Sequence, residues 1–199
     1  MNEVEMNKDV KLSPHFTLGE MTKTSYITAD GNIPSHVAIE NLKRLCGWLE
    51  ILRERYNQKY GEDLLLGTGP NKRSSPLPGP VPGRRSDIPV VISSGFRSEE
   101  VNRMCGGAKG SNHLTGCAVD IRCYGPEQMI RYAALLLDIA DEKLHSRVGS
   151  YCVNFDELIL EKRGTTYWIH FAVRPEDRSA TKGDACQSKN RRKILFDCR

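Results

Sequence analysis

Two short segments of this 199-residue chain alternate apolar and polar side chains with a period of two. In Ala118–Cys123 the large apolar side chains fall on one face and Asp120 on the other. In residues 168–173 the same alternation separates three apolar side chains from His170. Side chains on a strand point alternately to its two faces. Each segment is therefore predicted to be a strand that turns its apolar face to a core and one polar side chain away from it.

Helical patterns precede and separate these strands. A helix is predicted to begin after Pro34-Ser35 and to end near Asn57, since apolar residues recur there at intervals of three and four. Its predicted buried face consists of Val37, Ile39, Leu42, Leu45, Leu49 and Leu52. Thr17 and Glu20 have the spacing of a capping box at the start of a short helix. Further helices are predicted over residues 98–104 and after Pro126, which suits the first helical position.

Three more segments complete the predicted sheet. Residues 89–96 form a buried strand that ends in a turn, and residues 155–161 form a hairpin with 168–173. Residues 194–196 are a candidate edge strand. The expected fold class is α+β, with a small antiparallel sheet that carries a polar site and is flanked by helices.

The length of the chain suits one domain, here residues 1–199. A Pro/Gly/Arg-rich stretch at residues 67–87 is predicted to be a long exposed loop, and the segment from about residue 176 a basic tail. The net charge is only +4. A basic run is usually solvated, although it also suits a polyanion such as cell wall or nucleic acid.

The sequence shows no pattern of a membrane span, a signal peptide or a cysteine zinc site. No stretch approaches the roughly 20 apolar residues of a membrane span, and residues 1–9 lack the pattern of a signal peptide. The expectation is synthesis in the cytoplasm, with any action on a cell wall following another route of release. The seven cysteines contain no CxxC pair, which disfavours a cysteine zinc site. The expected oligomeric state is a monomer.

The stretch from Ser111 to Asp120 contains two candidate metal ligands. It places His113 and Asp120 seven residues apart, and His170 is presented by the later strand. Two histidines and one carboxylate suit a catalytic zinc with water in the fourth position. From periodicity alone, a metal site and a set of buried structural histidines both remain open.

Two charged residues are candidates for catalysis. Glu161 precedes the hairpin turn, so strand pairing is expected to bring it near His170, where a carboxylate can act as general base. Asp156 and Glu157 are its rivals but lie further from the turn. Arg97 follows the strand at residues 89–96 and is a candidate donor to a substrate carboxylate or an oxyanion.

The motif Ser111-x-His113-x-x-Gly116-x-Ala118-x-Asp120, followed by Trp168-Ile169-His170, resembles the zinc D-Ala-D-Ala carboxypeptidase family. That family includes phage endolysin peptidases and vancomycin-resistance dipeptidases, and it shares a fold with the hedgehog signalling domain. The resemblance extends to residues 94–98 and 155–161, and residues 12–21 are similar to the start of its phage and prophage branch. It covers about residues 12–173.

The resemblance implies roles for individual residues. His113, Asp120 and His170 would bind zinc, Glu161 would activate the attacking water, and Arg97 would stabilise the oxyanion. Ser111 and Trp168 would contact substrate. Two positions depart from the family pattern: Tyr167 stands where many relatives have an acid, and Trp168 where some have a second histidine.

The expected function is hydrolysis of a peptide bond in the peptidoglycan stem peptide, by carboxypeptidase or endopeptidase action. One alternative is a non-catalytic zinc domain that binds cell wall or another partner. Another is a DNA- or wall-binding module with an incidental histidine cluster, although nucleic acid is not the expected partner. Retention of a candidate carboxylate and of Arg97 favours the enzyme.

Overall fold

The computed structural model describes residues 7–66, 87–145, 155–174 and 193–198. Apart from Asp87, the expected loop at 67–87 lies outside these residues, and so does the tail between 176 and 192. The predictions of a single domain, a loop and a basic tail are therefore untested. No helix among the described residues is long and apolar enough to cross a membrane.

Four helices and five strands make up the described fold. The helices are α1 (Leu18–Met21), α2 (His36–Leu66), α3 (Glu99–Met104) and α4 (Pro126–His145), with a 3-10 helix at Asn112–Thr115. The strands are β1 (Val91–Ser94), β2 (Ala118–Cys123), β3 (Phe155–Arg163), β4 (Thr166–Val173) and β5 (Lys193–Cys198). They form one sheet in the order β1-β2-β4-β3-β5.

The predicted α+β class is confirmed. Neighbouring strands from β1 to β3 are antiparallel, whereas β5 runs parallel to β3 at the edge of the sheet. The edge strand expected at residues 194–196 is thus present, and it makes the sheet mixed. The capping box of α1 is also present, since Thr17 accepts a hydrogen bond from the Glu20 amide and Glu20 accepts one from the Thr17 amide.

The core lies on one face of the sheet. Phe171 of β4 packs against Trp48 of α2 with ring centroids 5.4 Å apart and against Phe155 of β3 at 5.9 Å. Helix α4 contacts β2, β3 and β4 as well as α2. The apolar face predicted for the two alternating segments is completely buried here: Val119, Ile121, Ile169 and Phe171 are each 0% exposed.

Helix α2 corrects two details of the sequence prediction. It continues nine residues beyond Asn57, to Leu66. Tyr60 supplies a contact in this extension, since the Arg131 guanidinium lies over its ring. One turn earlier, Tyr56 packs edge-on against Tyr132 of α4. The assignment of Val37 to the buried face is wrong, because Val37 lies in the first turn of the helix and is 69% exposed.

Two glycines let the backbone around the polar face approach its neighbours closely. Gly116 ends the 3-10 helix with a φ of 71°, and a Cβ there would lie 2.4 Å from the carbonyl oxygen of Ala38. A Cβ on Gly95 would lie 2.2 Å from the carbonyl oxygen of Met21. The segment around Gly116 thus packs closely on the backbone at Ala38, and the segment around Gly95 on the backbone at Met21.

Gly116→Ala is therefore expected to lower the free energy of unfolding by at least about 2 kcal/mol. A left-handed conformation costs a non-glycine residue roughly 1–2 kcal/mol, and relief of the clash with Ala38 requires a backbone shift that costs about 1–3 kcal/mol more. Chemical denaturation measures the change. Gly110→Ala is the matched control, since nothing lies within 4 Å of a Cβ at Gly110. Equal stability of the two variants would contradict the close approach at Gly116.

Candidate metal centre

Strand pairing brings Asp120 and His170 together on the face of the sheet opposite the core. The two residues are direct partners in the β2–β4 ladder. Because they lie on the same face of adjacent antiparallel strands, their side chains meet. His170 Nδ1 is 3.0 Å from Asp120 Oδ1.

His113 reaches the same point from the 3-10 helix. Ser111 caps this helix by accepting a hydrogen bond from the amide of His113. His113 Nδ1 donates to the carbonyl oxygen of Gly95 at 2.6 Å, and this bond leaves Nε2 without a proton. That nitrogen faces the pair from β2 and β4, 3.3 Å from Asp120 Oδ1 and 3.2 Å from His170 Nδ1.

The resulting triangle of donor atoms fits a tetrahedral metal ion. Zinc bonds to histidine nitrogen and carboxylate oxygen are about 2.0–2.2 Å long, so two ligands of a tetrahedral site lie roughly 3.3–3.5 Å apart. The three edges measured here are 3.0, 3.2 and 3.3 Å. In the described residues, these three side chains form a group that could hold a metal ion.

The electrostatics of the cluster favour a cation at its centre. Burial lowers the pKa of His113, which keeps that ring neutral. Burial alone would raise the pKa of Asp120, but interactions with the neighbouring rings of His113 and His170 hold it well below its usual range. Burial alone would lower the pKa of His170, but Asp120 and Glu157 outweigh it and raise the pKa to about 9. A metal ion that binds here therefore replaces a proton on His170.

Other side chains hold the three donor residues in place. Arg97 donates from Nη2 to Asp120 Oδ2 and from Nε to Ser94 Oγ at 2.8 Å. Ser93 donates from Oγ to the Asp120 carbonyl oxygen at 3.0 Å. Glu157 Oε2 lies 3.2 Å from His170 Nε2, the ring nitrogen that faces away from the triangle. Hydrogen-bonded partners of this kind orient the ligands in known metal sites.

A cleft of about 380 Å³ opens onto the cluster. Its walls include all seven residues for which the family resemblance implies a role: Arg97, Ser111, His113, Asp120, Glu161, Trp168 and His170. Ser93, Cys105, Gly107 and Ala108 complete the lining. The structure therefore brings together all seven candidates, although their individual roles remain predictions.

The three candidate carboxylates of β3 occupy different places. The register pairs Ile159 with His170, Glu161 with Trp168 and Glu157 with Ala172, so both glutamates lie on the polar face. Glu161 lines the cleft, whereas Glu157 contacts His170. The third candidate, Asp156, lies 3.6 Å from the Arg174 guanidinium and 3.4 Å from the Asn112 side-chain amide.

The sequence pattern gives no sign of four contacts around the site. The carbonyl group of Gly95 that holds His113 is a backbone group, which no side-chain pattern reveals. The bonds of Asn112 and His170 to Glu157 depend on a strand register that only the folded chain shows. The bond between Arg97 and Asp120 joins residues 23 positions apart.

Comparison with known proteins supports the motif-based resemblance. Residues 83–154 match the family model described as Peptidase M15. This segment contains Arg97, Ser111, His113 and Asp120 and ends before β3 and β4. No curated protein matches the chain. The family-model match supports the assignment of this chain to the M15 peptidases, the zinc D-Ala-D-Ala carboxypeptidase-like family.

Proposed function

We propose that this chain is a zinc peptidase that hydrolyses a peptide bond in the stem peptide of peptidoglycan. The observation that carries the proposal is the triangle of His113, Asp120 and His170 at the base of an open cleft. The match to the M15 peptidases supports peptide hydrolysis as the class of reaction. The family resemblance supports peptidoglycan as the substrate, and the cell wall as the place of action.

His113 would hold the metal through Nε2, Asp120 through Oδ1 and His170 through Nδ1. Zinc in such a site acts as a Lewis acid and lowers the pKa of a coordinated water to about 7. A harder ion such as Mg²⁺ prefers oxygen ligands, so two imidazoles and one carboxylate favour zinc. The cleft leaves room for water and substrate beside the three protein ligands.

Glu161 is the proposed general base. Its side chain lines the same cleft as the metal triangle and lies on the same strand face as Ile159, the partner of His170. The carboxylate would accept a proton from the attacking water and return it to the amine that leaves when the peptide bond breaks. Glu157 suits this role less well because its Oε2 is engaged with His170 and Asn112.

Arg97 is the proposed donor to the oxyanion that develops on the scissile carbonyl. Its Nε and Nη2 are committed to Ser94 and Asp120, but within the described part of the chain Nη1 makes no hydrogen bond. Since Arg97 lines the cleft, this nitrogen is the group on the arginine that remains for substrate. The other two bonds hold the guanidinium in position beforehand.

Arg97→Ala is expected to lower turnover about 100- to 1000-fold at saturating zinc, which is the usual effect of losing an oxyanion donor. Asp120 also loses a partner, so zinc is supplied in excess and its occupancy is measured alongside the rate. Arg103→Ala is the matched control because the Arg103 side chain is 78% exposed and pairs only loosely with Glu100, at 3.8 Å. Near-normal turnover of the zinc-loaded Arg97 variant would reject the role.

Two substrates test the proposed function. Purified peptidoglycan and a synthetic stem peptide ending in D-Ala-D-Ala are incubated with the zinc-loaded chain, with and without a chelator. Release of free D-Ala identifies a carboxypeptidase, and release of new amino groups from cross-linked wall identifies an endopeptidase. A zinc-loaded chain that binds wall but cleaves neither substrate would instead be a binding domain.

A further inference from the structure

Strand β3 contains an irregularity beside the metal triangle. Phe155 pairs with Val173 and Glu157 pairs with Ala172, so three residues of β3 oppose two of β4. Residues two positions apart on a regular strand share a face. Here the bulge at Asp156 separates them: Phe155 is 0% exposed in the core, and Glu157 lies on the polar face with His170. Bulges of this kind re-aim side chains next to functional sites.

The re-aimed carboxylate makes two contacts through one oxygen atom. Glu157 Oε2 lies 3.2 Å from His170 Nε2 and 3.1 Å from Asn112 Nδ2. Asn112 immediately precedes His113 and begins the 3-10 helix. Glu157 therefore links the backbone segment that presents one proposed metal ligand to the ring of another.

We propose that Glu157, held by Asn112, is a positioning residue that fixes the ring of His170 for metal binding. An imidazole that donates its Nε2 proton to a carboxylate binds metal through Nδ1. Nδ1 is the atom that faces His113 and Asp120. The bond to Glu157 also sets the rotation of the His170 ring about its Cβ–Cγ bond. The two glutamates of β3 thus have different roles: Glu157 orients the metal ligand His170, and Glu161 accepts the proton of the attacking water.

Because His170 and Asn112 both contact the same oxygen of Glu157, the role can be tested by conservative substitution. Glutamine has one side-chain oxygen, which can accept from both His170 and Asn112 as Glu157 Oε2 does. Glu157→Gln is therefore expected to bind zinc nearly as tightly as the unaltered chain. Glu157→Ala removes both bonds and is expected to bind zinc about 10- to 100-fold less tightly, the usual loss when an outer partner of a metal-bound histidine is removed.

The experiment measures zinc affinity on the full chain at fixed pH, by competition with a chelating dye. Proton NMR of the zinc-loaded chain gives a second readout: the Nε2 proton of His170 should be protected from exchange in the unaltered chain and in Glu157→Gln. In Glu157→Ala that signal should be lost to exchange with water. Glu161→Ala is the matched control on the same strand face, and its zinc affinity should not change.

Two outcomes would overturn the inference. One is Glu157→Ala with unchanged zinc affinity and an unchanged Nε2 proton signal. The other is Glu157→Gln that loses as much affinity as Glu157→Ala, since negative charge and not the shared hydrogen bond would then matter. If Glu157→Ala does not fold, Asn112→Ala tests the same link, with weaker zinc binding and faster exchange expected and unchanged values contradicting it.

The inference rests on the proposed zinc site, but its failure can be told apart from that of the proposed function. If zinc affinity falls in Glu157→Ala but not in Glu157→Gln, and the chain cleaves no peptide, the positioning role stands and the proposed peptidase function fails. If the chain cleaves stem peptide and both Glu157 variants bind zinc normally, the proposed function stands and the positioning role fails.

Discussion

Glu161→Gln is expected to lower peptide hydrolysis by about 100- to 10,000-fold, the range attributed to a general base, while zinc content and stability stay unchanged. Glutamine preserves the size of the side chain and an accepting oxygen, but it does not take up a proton from water. Glu161 lines the cleft beside the metal triangle, and its strand partner is Trp168. Steady-state kinetics at saturating zinc, with metal analysis of the same samples, measure both quantities.

The matched control is Glu157→Gln, which lies on the same strand and the same face. Most of its turnover should remain, because glutamine can preserve the bond to His170 Nε2. The opposite result, an active Glu161→Gln and an inactive Glu157→Gln, would assign the proton transfer to Glu157. Full activity in both variants would show that neither Glu161 nor Glu157 takes the proton.

Loss of zinc is the expected result when a histidine of the triangle is removed. His113→Ala and His170→Ala each take away one of three protein donor atoms, so zinc affinity should fall by more than the roughly 10- to 100-fold typical of an outer partner. The double variant should contain no zinc after dialysis. Metal analysis by mass spectrometry measures the content, and circular dichroism confirms that each variant is folded.

His36→Ala controls for the loss of an imidazole alone, since His36 is exposed at the start of α2, away from the cleft. His113 is 2% exposed, and its removal leaves the Gly95 carbonyl group without that partner, so some loss of stability is expected there. His170, with 12% of its side chain exposed, is the milder test. Equal zinc in the unaltered chain and the double variant would mean that the metal lies elsewhere or that none is bound specifically.

The polar face of the sheet could be predicted because alternation is a local property. The segments around Asp120 and His170 each need only their own residues to show which side chains face a core. The burial of Ile121 and Phe171 confirms that prediction. A period of two does not show which strands are neighbours, so the direct pairing of Asp120 with His170 had to come from the structure.

The parts that sequence did not reveal depend on interactions between distant segments. Helix α2 extends past Asn57 into a segment where Tyr60 contacts Arg131 of α4. The bulge at Asp156 lets Phe155 and Glu157 face opposite sides, against the simple alternation of a strand. The 3-10 helix that presents His113 is too short for a periodic signal.

The central claim is that a single zinc ion in the triangle of His113, Asp120 and His170 makes this chain a peptidase. The most direct measurement is the rate of stem-peptide hydrolysis as zinc is titrated into chelator-treated, dialysed protein. The expected rate rises in proportion to added zinc and reaches its maximum near one equivalent, and the His113→Ala/His170→Ala double variant stays inactive throughout. A folded chain that takes up one zinc ion in this triangle and hydrolyses neither stem peptide nor peptidoglycan would contradict the claim.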